Sequence, residues 1–185
     1  GYAEGAPILQ RGVEALLAPE TSEDEHLEAW VVATTACTVR RDYVAADEVQ
    51  LRAIDIARRT GALWELDVAL YAYSTACTDL GRLAAAEQLV IEGHQIRSAL
   101  GATAEQWEVY QHPELLAWRA TAEYLPERIQ AIVDASVPLG HGCVERIAYY
   151  ARSTLALATG QPAEARDLVR HLVDDDPLCV HTRVL

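Results

Sequence analysis

The tetrapeptide Thr-Ala-Cys-Thr occurs twice, at residues 35–38 and 75–78, an offset of 40 (77 − 37). Its surroundings repeat as well. Four residues after Cys37 the chain reads Arg41-Asp42-Tyr43-Val44-Ala45-Ala46, and four after Cys77 it reads Gly81-Arg82-Leu83-Ala84-Ala85-Ala86. Each is a tight turn, one large apolar residue, then an alanine three positions on. The turn returns at Gly160-Gln161-Pro162-Ala163-Glu164-Ala165, 79 residues further (160 − 81), close to two periods. A degenerate copy falls at Ala122-Glu123-Tyr124-Leu125-Pro126, and Gly1-Tyr2 stands 41 residues before Asp42-Tyr43 (43 − 2). Turns near residues 1, 42, 82, 122 and 161, with helical patterning between them, are the mark of a helical-hairpin array. The expected fold is all-α: one domain over residues 1–185, a right-handed solenoid of about four helical hairpins.

The pattern between the turns sets the helices. Ser22-Glu23-Asp24-Glu25 is a capping box that opens a helix running to about Tyr43, with Leu27, Trp30, Val31, Thr34 and Thr38 on one stripe. Helices follow over 44–59, stopped by Gly61, over 62–80 and over 83–100. Apolar spacing then predicts a short helix from Pro113 to Ala120, one from Leu125 that ends before Pro138, and one through Val144, Ile147, Ala151 and Leu155. Pro162 suits the first turn of a last helix, and Pro177 stops it. Cys37 and Cys77, at equivalent positions on buried faces, read as small core hydrophobes. Residues 102–112 break the regularity. They read as a broken helix whose aromatics fold onto the neighbouring hairpin, or as a lid over a groove.

Charge narrows the partners. The chain carries 28 acidic against 15 Lys and Arg residues, a formal net charge of −13, which repels phosphate backbones and anionic membranes. Direct nucleic-acid and membrane contact are not expected. The pairs Arg40-Arg41 and Arg58-Arg59 sit where cations complement a helix C-terminus. No run of about 18 uncharged apolar residues is present, and no signal peptide is visible. Four cysteines without such a signal suit a reducing, cytoplasmic setting. The chain reads as a segment of a longer protein.

Motifs for chemistry are sparse. His141-Gly142-Cys143, His171 and Cys179-Val180-His181 lie one hairpin apart but lack the paired CxxC spacing of zinc sites, so no metal is expected. The acidic runs 23–25 and 174–176 lack the pocket partner that acid–base catalysis needs. No enzymatic activity is expected; one would require a closed pocket of convergent ionisable groups. Aromatics on the first helices of the hairpins, which line the concave side of such arrays, are the better clue to a binding surface. Tyr71 and Tyr73 cannot face one way on a helix, nor can Tyr149 and Tyr150, so one of each pair looks away from the core. The candidate ligand or partner contacts are Trp64, Tyr71, Trp107, Tyr110 and Tyr149.

The segments 53–63, 80–86, Leu116-Ala117-Trp118-Arg119, 157–166 and Asp174-Asp175-Asp176 resemble the tetratricopeptide-like helical region of large LuxR-type bacterial transcription regulators. The resemblance spans nearly the whole chain. It implies a regulator with a nucleotide-binding switch domain before the array and a helix-turn-helix after it. The array would receive a small-molecule inducer, or a protein or peptide partner, on its concave face and contact the regulator's other domains. No cofactor is implied within these residues; ATP would sit on the nucleotide-binding domain elsewhere. The alternative is a tetratricopeptide-like protein–protein adaptor.

Overall fold

A computed structural model describes residues 2–18, 27–40, 42–102, 112–119, 125–136 and 142–175. The described residues form nine helices and no strand: α1 (Tyr2–Leu17), α2 (Leu27–Arg40), α3 (Tyr43–Thr60), α4 (Leu63–Asp79), α5 (Leu83–Ala99), α6 (Pro113–Arg119), α7 (Leu125–Ser136), α8 (Gly142–Ala158) and α9 (Pro162–Asp175). The chain divides into two compact units, Gly1–Leu100 and Gly101–Leu185.

Within the first unit each helix packs on the next, and alternate helices meet as well, α1 on α3 and α2 on α4. The core is built from Trp30 and Cys37 of α2, Val49, Ala53, Ile54, Ile56 and Ala57 of α3, and Leu66, Ala69 and Leu70 of α4. Each large side chain closed off here contributes about 1.5–3 kcal/mol. In the second unit α8 is central, packing on α6, α7 and α9. Ala117, Ile129, Ala148 and Ala151 form the core there.

The sequence repeat has a direct backbone counterpart. The carbonyls of Cys37, Cys77 and Ala156 accept bonds from the amides of Asp42, Arg82 and Gln161 at 3.0, 2.8 and 2.7 Å, the same closure that joins Ala62 to Ala57 at 3.0 Å between α3 and α4. Gly81 and Gly160 hold left-handed backbone there, with φ of 72° and 78°, which side chains resist. Four residues past Asp42, Arg82 and Gln161 a buried alanine follows: Ala46, Ala86 and Ala165. The alanines let the second helix lie close against the first.

Three further contacts fix the hairpins. Arg97 Nε of α5 donates to Asp67 Oδ2 of α4 at 2.9 Å, and its Nη2 stands 2.8 Å from Oδ1, an ionic contact rather than a well-angled hydrogen bond. A side chain at Gly93 would put its Cβ 3.2 Å from Asp67 Oδ1 and 3.3 Å from Arg97 Nη2, so glycine makes room for the pair. Asp47 of α3 accepts two bonds from Arg82 Nη1, at 2.9 and 2.8 Å, across the turn between α4 and α5. Arg58 does more than complement a helix end: its guanidinium grips both oxygens of Glu92 on α5, at 2.8 and 2.7 Å.

Where the structure differs from the sequence reading, capping explains it. The first hairpin turn lies at Asp42, whose carboxylate caps α3 by accepting from the Ala45 amide at 3.2 Å, so α2 ends at Arg40 rather than near Tyr43. The Ser22 capping box falls outside the described residues. A helix α1 was not foreseen, because Pro7 and two glycines interrupt its pattern. Helix α8 begins at Gly142, before the first apolar position, Val144, of its pattern.

Candidate functional site

A helix packed on three sides leaves one narrow stripe for solvent, and on α4 that stripe is aromatic. Leu66, Ala69, Leu70, Ser74, Ala76 and Cys77 are buried. Trp64, Val68, Tyr71 and Thr75 recur at i, i+4, i+7 and i+11 and so lie along the opposite face. Trp64 is 62% exposed; Val68, Tyr71 and Thr75 are half-buried. An exposed indole is an unusual use of the largest apolar side chain. Glu65 and Asp79 lie along one border of the stripe by helical position.

The rule that Tyr71 and Tyr73 face differently is met. Tyr73 packs against the core cluster, and burial, followed by the nearby Asp47 carboxylate, raises its pKa. Tyr71 lies on the stripe with Trp64. Its carbonyl accepts from the Ser74 hydroxyl at 2.8 Å and from Thr75 at 3.2 Å, so the hydroxyls beneath the stripe bond within their own helix.

Tyr149 is elsewhere, on α8 of the second unit. On one side it lines an open groove of about 570 Å³ with Glu164, Asp167 and Leu168 of α9. On the other it lines a small cleft of about 60 Å³ with Ile129, Val133 and Arg152. The 79-residue offset makes Tyr149 the counterpart of the buried Leu70, and Tyr150 the counterpart of Tyr71 (150 − 71 = 79). Of the two, Tyr149 is the one that lines both grooves of α8. Trp107 and Tyr110 lie outside the described residues, as do residues 103–111 of the stretch 102–112 considered for a lid.

Cys37 and Cys77 are core. Cys37 is 0% and Cys77 1% exposed. Burial, followed by the Asp42 carboxylate, pushes the Cys37 thiol up to about 11, and burial raises Cys77 as well. Thiols held protonated in this way are poor nucleophiles and poor metal ligands. Among the described residues no group of three His, Cys, Asp or Glu side chains could hold a metal ion. His141, Cys179 and His181 lie outside the described residues. No helix of the described residues is long and apolar enough to cross a membrane.

Comparison of the chain with protein-family models, with curated proteins and with solved structures gives no match.

Proposed function

We propose that this chain is the recognition segment of a LuxR-type transcription regulator, a right-handed tetratricopeptide-like solenoid that holds an inducer or peptide on the outward stripe of α4. The observation that carries this reading is Trp64, exposed at the head of a stripe shared with Val68, Tyr71 and Thr75. Covering an exposed aromatic contributes about 2 kcal/mol, and such anchors dominate binding surfaces. The Glu65 and Asp79 border favours a partner that carries a cation next to an apolar group. The net charge of −13 keeps nucleic acid off this segment, so DNA reading belongs to another domain. The chain itself performs no catalysis in this scheme. A ligand that prefers one arrangement of hairpins shifts the regulator's state by the difference in its affinity for the two arrangements.

A second reading, a protein–protein adaptor, is favoured by the open character of both aromatic surfaces, which suits a polypeptide better than an enclosed small molecule. The test is a thermal-shift screen of peptides and metabolite-like small molecules against the wild-type chain and Trp64→Ala. Hits that stabilise wild type and not the variant support the reading; hits indifferent to Trp64 contradict it. Within the regulator, the same substitution abolishes the response to inducer while leaving uninduced DNA affinity unchanged. In an adaptor there is no such response to lose.

A further inference from the structure

Helix α5 is lightly anchored. Among the described helices it packs extensively on α4 and on no other. The residues it buries are Ala86, Gly93, Ile96 and Arg97, with Ile96 the one large apolar side chain among them. Its counterpart one repeat earlier, α3, buries Val49, Ile54 and Ile56 besides its alanines. A face of alanine and glycine interlocks little with the helix beneath it, so it resists rotation less than interdigitated large side chains do.

Two ion pairs tie α5 to α3 across this weakness. At one rung Arg82, just before α5, places Nη1 2.9 and 2.8 Å from the two carboxylate oxygens of Asp47. At the other, Arg58 Nη2 stands 2.8 and 2.7 Å from the two oxygens of Glu92. Asp47 and Arg58 are 11 residues apart on α3 (58 − 47), and Arg82 and Glu92 are 10 apart (92 − 82), so the rungs lie about three turns from each other. The paired residues are 35 and 34 positions apart in the chain, so both rungs keep nearly one register between the helices. Their polarity alternates. A slip that brought Glu92 to Asp47 would face two carboxylates. The third ionic contact differs in kind: Arg97 and Asp67 join α5 to α4 near the end of α5, with side chains only 6% and 4% exposed. The two rungs face solvent, their arginines about half-exposed.

We infer that Asp47–Arg82 and Arg58–Glu92 form an ionic clasp, and that its opening lets α5 swing away from α3 on α4, about the buried Asp67–Arg97 pair. An exposed ion pair favours its closed state by about 1.5- to 5-fold, so two hold α5 closed by roughly 2- to 30-fold. A minority of molecules then has the clasp open, and a partner that prefers either position shifts the balance. In the proposed function, the two positions of α5 supply the hairpin arrangements between which a ligand selects. The swing itself does not depend on that function.

The gap between α3 and α5 can be read in the full chain by pulsed electron paramagnetic resonance. Spin labels on genetically encoded side chains replace Leu51 and Ile91, equivalent exposed positions 40 residues apart (91 − 51), and the native cysteines stay in place. A second label pair at Val32 and Trp64, both exposed, reads the contact between α2 and α4. Glu92→Arg and Arg82→Glu each set like charges face to face. Each is expected to shift the Leu51–Ile91 distribution to longer distance, and the two together to shift it further, while the Val32–Trp64 distance is unchanged. Exchanging the charges, Arg58→Glu with Glu92→Arg, is expected to return the Leu51–Ile91 distance to its wild-type value. Three results overturn the clasp. The first is a Leu51–Ile91 distance unmoved by both reversals together, which means that packing on α4 sets the gap. The second is a shift that charge exchange does not reverse. The third is an equal shift between Val32 and Trp64, which marks loosening of the whole unit. No ligand is added, so none of these results bears on whether Trp64 anchors a partner.

Discussion

Replacing Gln50 by leucine should make this protein more stable. Gln50 lies on α3 and is 0% exposed, and neither its Oε1 nor its Nε2 has a hydrogen-bond partner among the described residues. Its neighbours on the helix, Val49, Ala53 and Ile54, belong to the apolar core. A buried polar group left unpaired costs about 1–3 kcal/mol, and replacing it by an apolar group of similar shape removes that cost. The molecule already places leucine at the equivalent position of α1, Leu9 (50 − 9 = 41). Leucine also loses less rotamer freedom on burial than glutamine does. The expected gain is therefore roughly 1–3 kcal/mol, or a rise of about 2–10 °C in the midpoint for a chain of this size. The assay is urea unfolding followed by far-UV circular dichroism, in which the midpoint moves up at unchanged slope. Gln50→Ala, which leaves a cavity, should lose stability relative to Gln50→Leu. A lower midpoint for Gln50→Leu would refute the reasoning, because it would mean that the amide makes stabilising bonds.

Three further substitutions or reagents probe the same framework. Asp67→Ala takes from the buried Arg97 guanidinium the carboxylate that faces its Nε and Nη2 and should cost about 3–5 kcal/mol in denaturant unfolding, while the double change Asp67→Leu with Arg97→Leu costs less than that. Gly81→Ala forces a side chain into left-handed backbone and should cost about 1–2 kcal/mol by the same measurement. Cys37, with its thiol pushed up to about 11, should resist iodoacetamide at pH 8 in the folded chain and react once urea unfolds it, as read by site-resolved mass spectrometry. The sign follows for stability: the folded thiol holds its proton where an ordinary one, near 9.0, has lost it, so the Cys37 contribution is constant below pH 9 and falls as pH rises through about 11.

The turn spacing was legible because it is written in residues close together in the chain. Thr-Ala-Cys-Thr marks the carbonyls at Cys37 and Cys77 that close two turns, and glycine at residues 81 and 160 marks where the backbone must turn left-handed. The aromatic stripe was legible in part. Helical spacing joins Trp64 to Tyr71, and it demanded that Tyr73 face elsewhere, but which of Tyr149 and Tyr150 borders the grooves of α8 depends on how α7 and α9 pack against it. Other features depend on residues far apart in sequence. Asp67 and Arg97 are 30 residues apart, and an aspartate on an apolar helix face gives no sign of its partner until the hairpin closes. Gly93 supplies the space that the ion pair needs, which no local pattern reveals. Helix α1 was hidden for a local reason: Pro7 and the glycines lower its propensity, while only Val13, with Leu16 and Leu17 against it, joins the core.

The recognition face is tested most directly by nuclear magnetic resonance. The indole N–H of Trp64 gives its own resonance, assignable from Trp64→Ala, and can be followed while a compound or peptide from the thermal-shift screen is added. The account predicts that this resonance and the amides of Val68, Tyr71 and Thr75 move together and saturate at the affinity of binding, and that Trp64→Ala abolishes the binding. Saturable binding that leaves the Trp64 resonance in place and survives Trp64→Ala contradicts it.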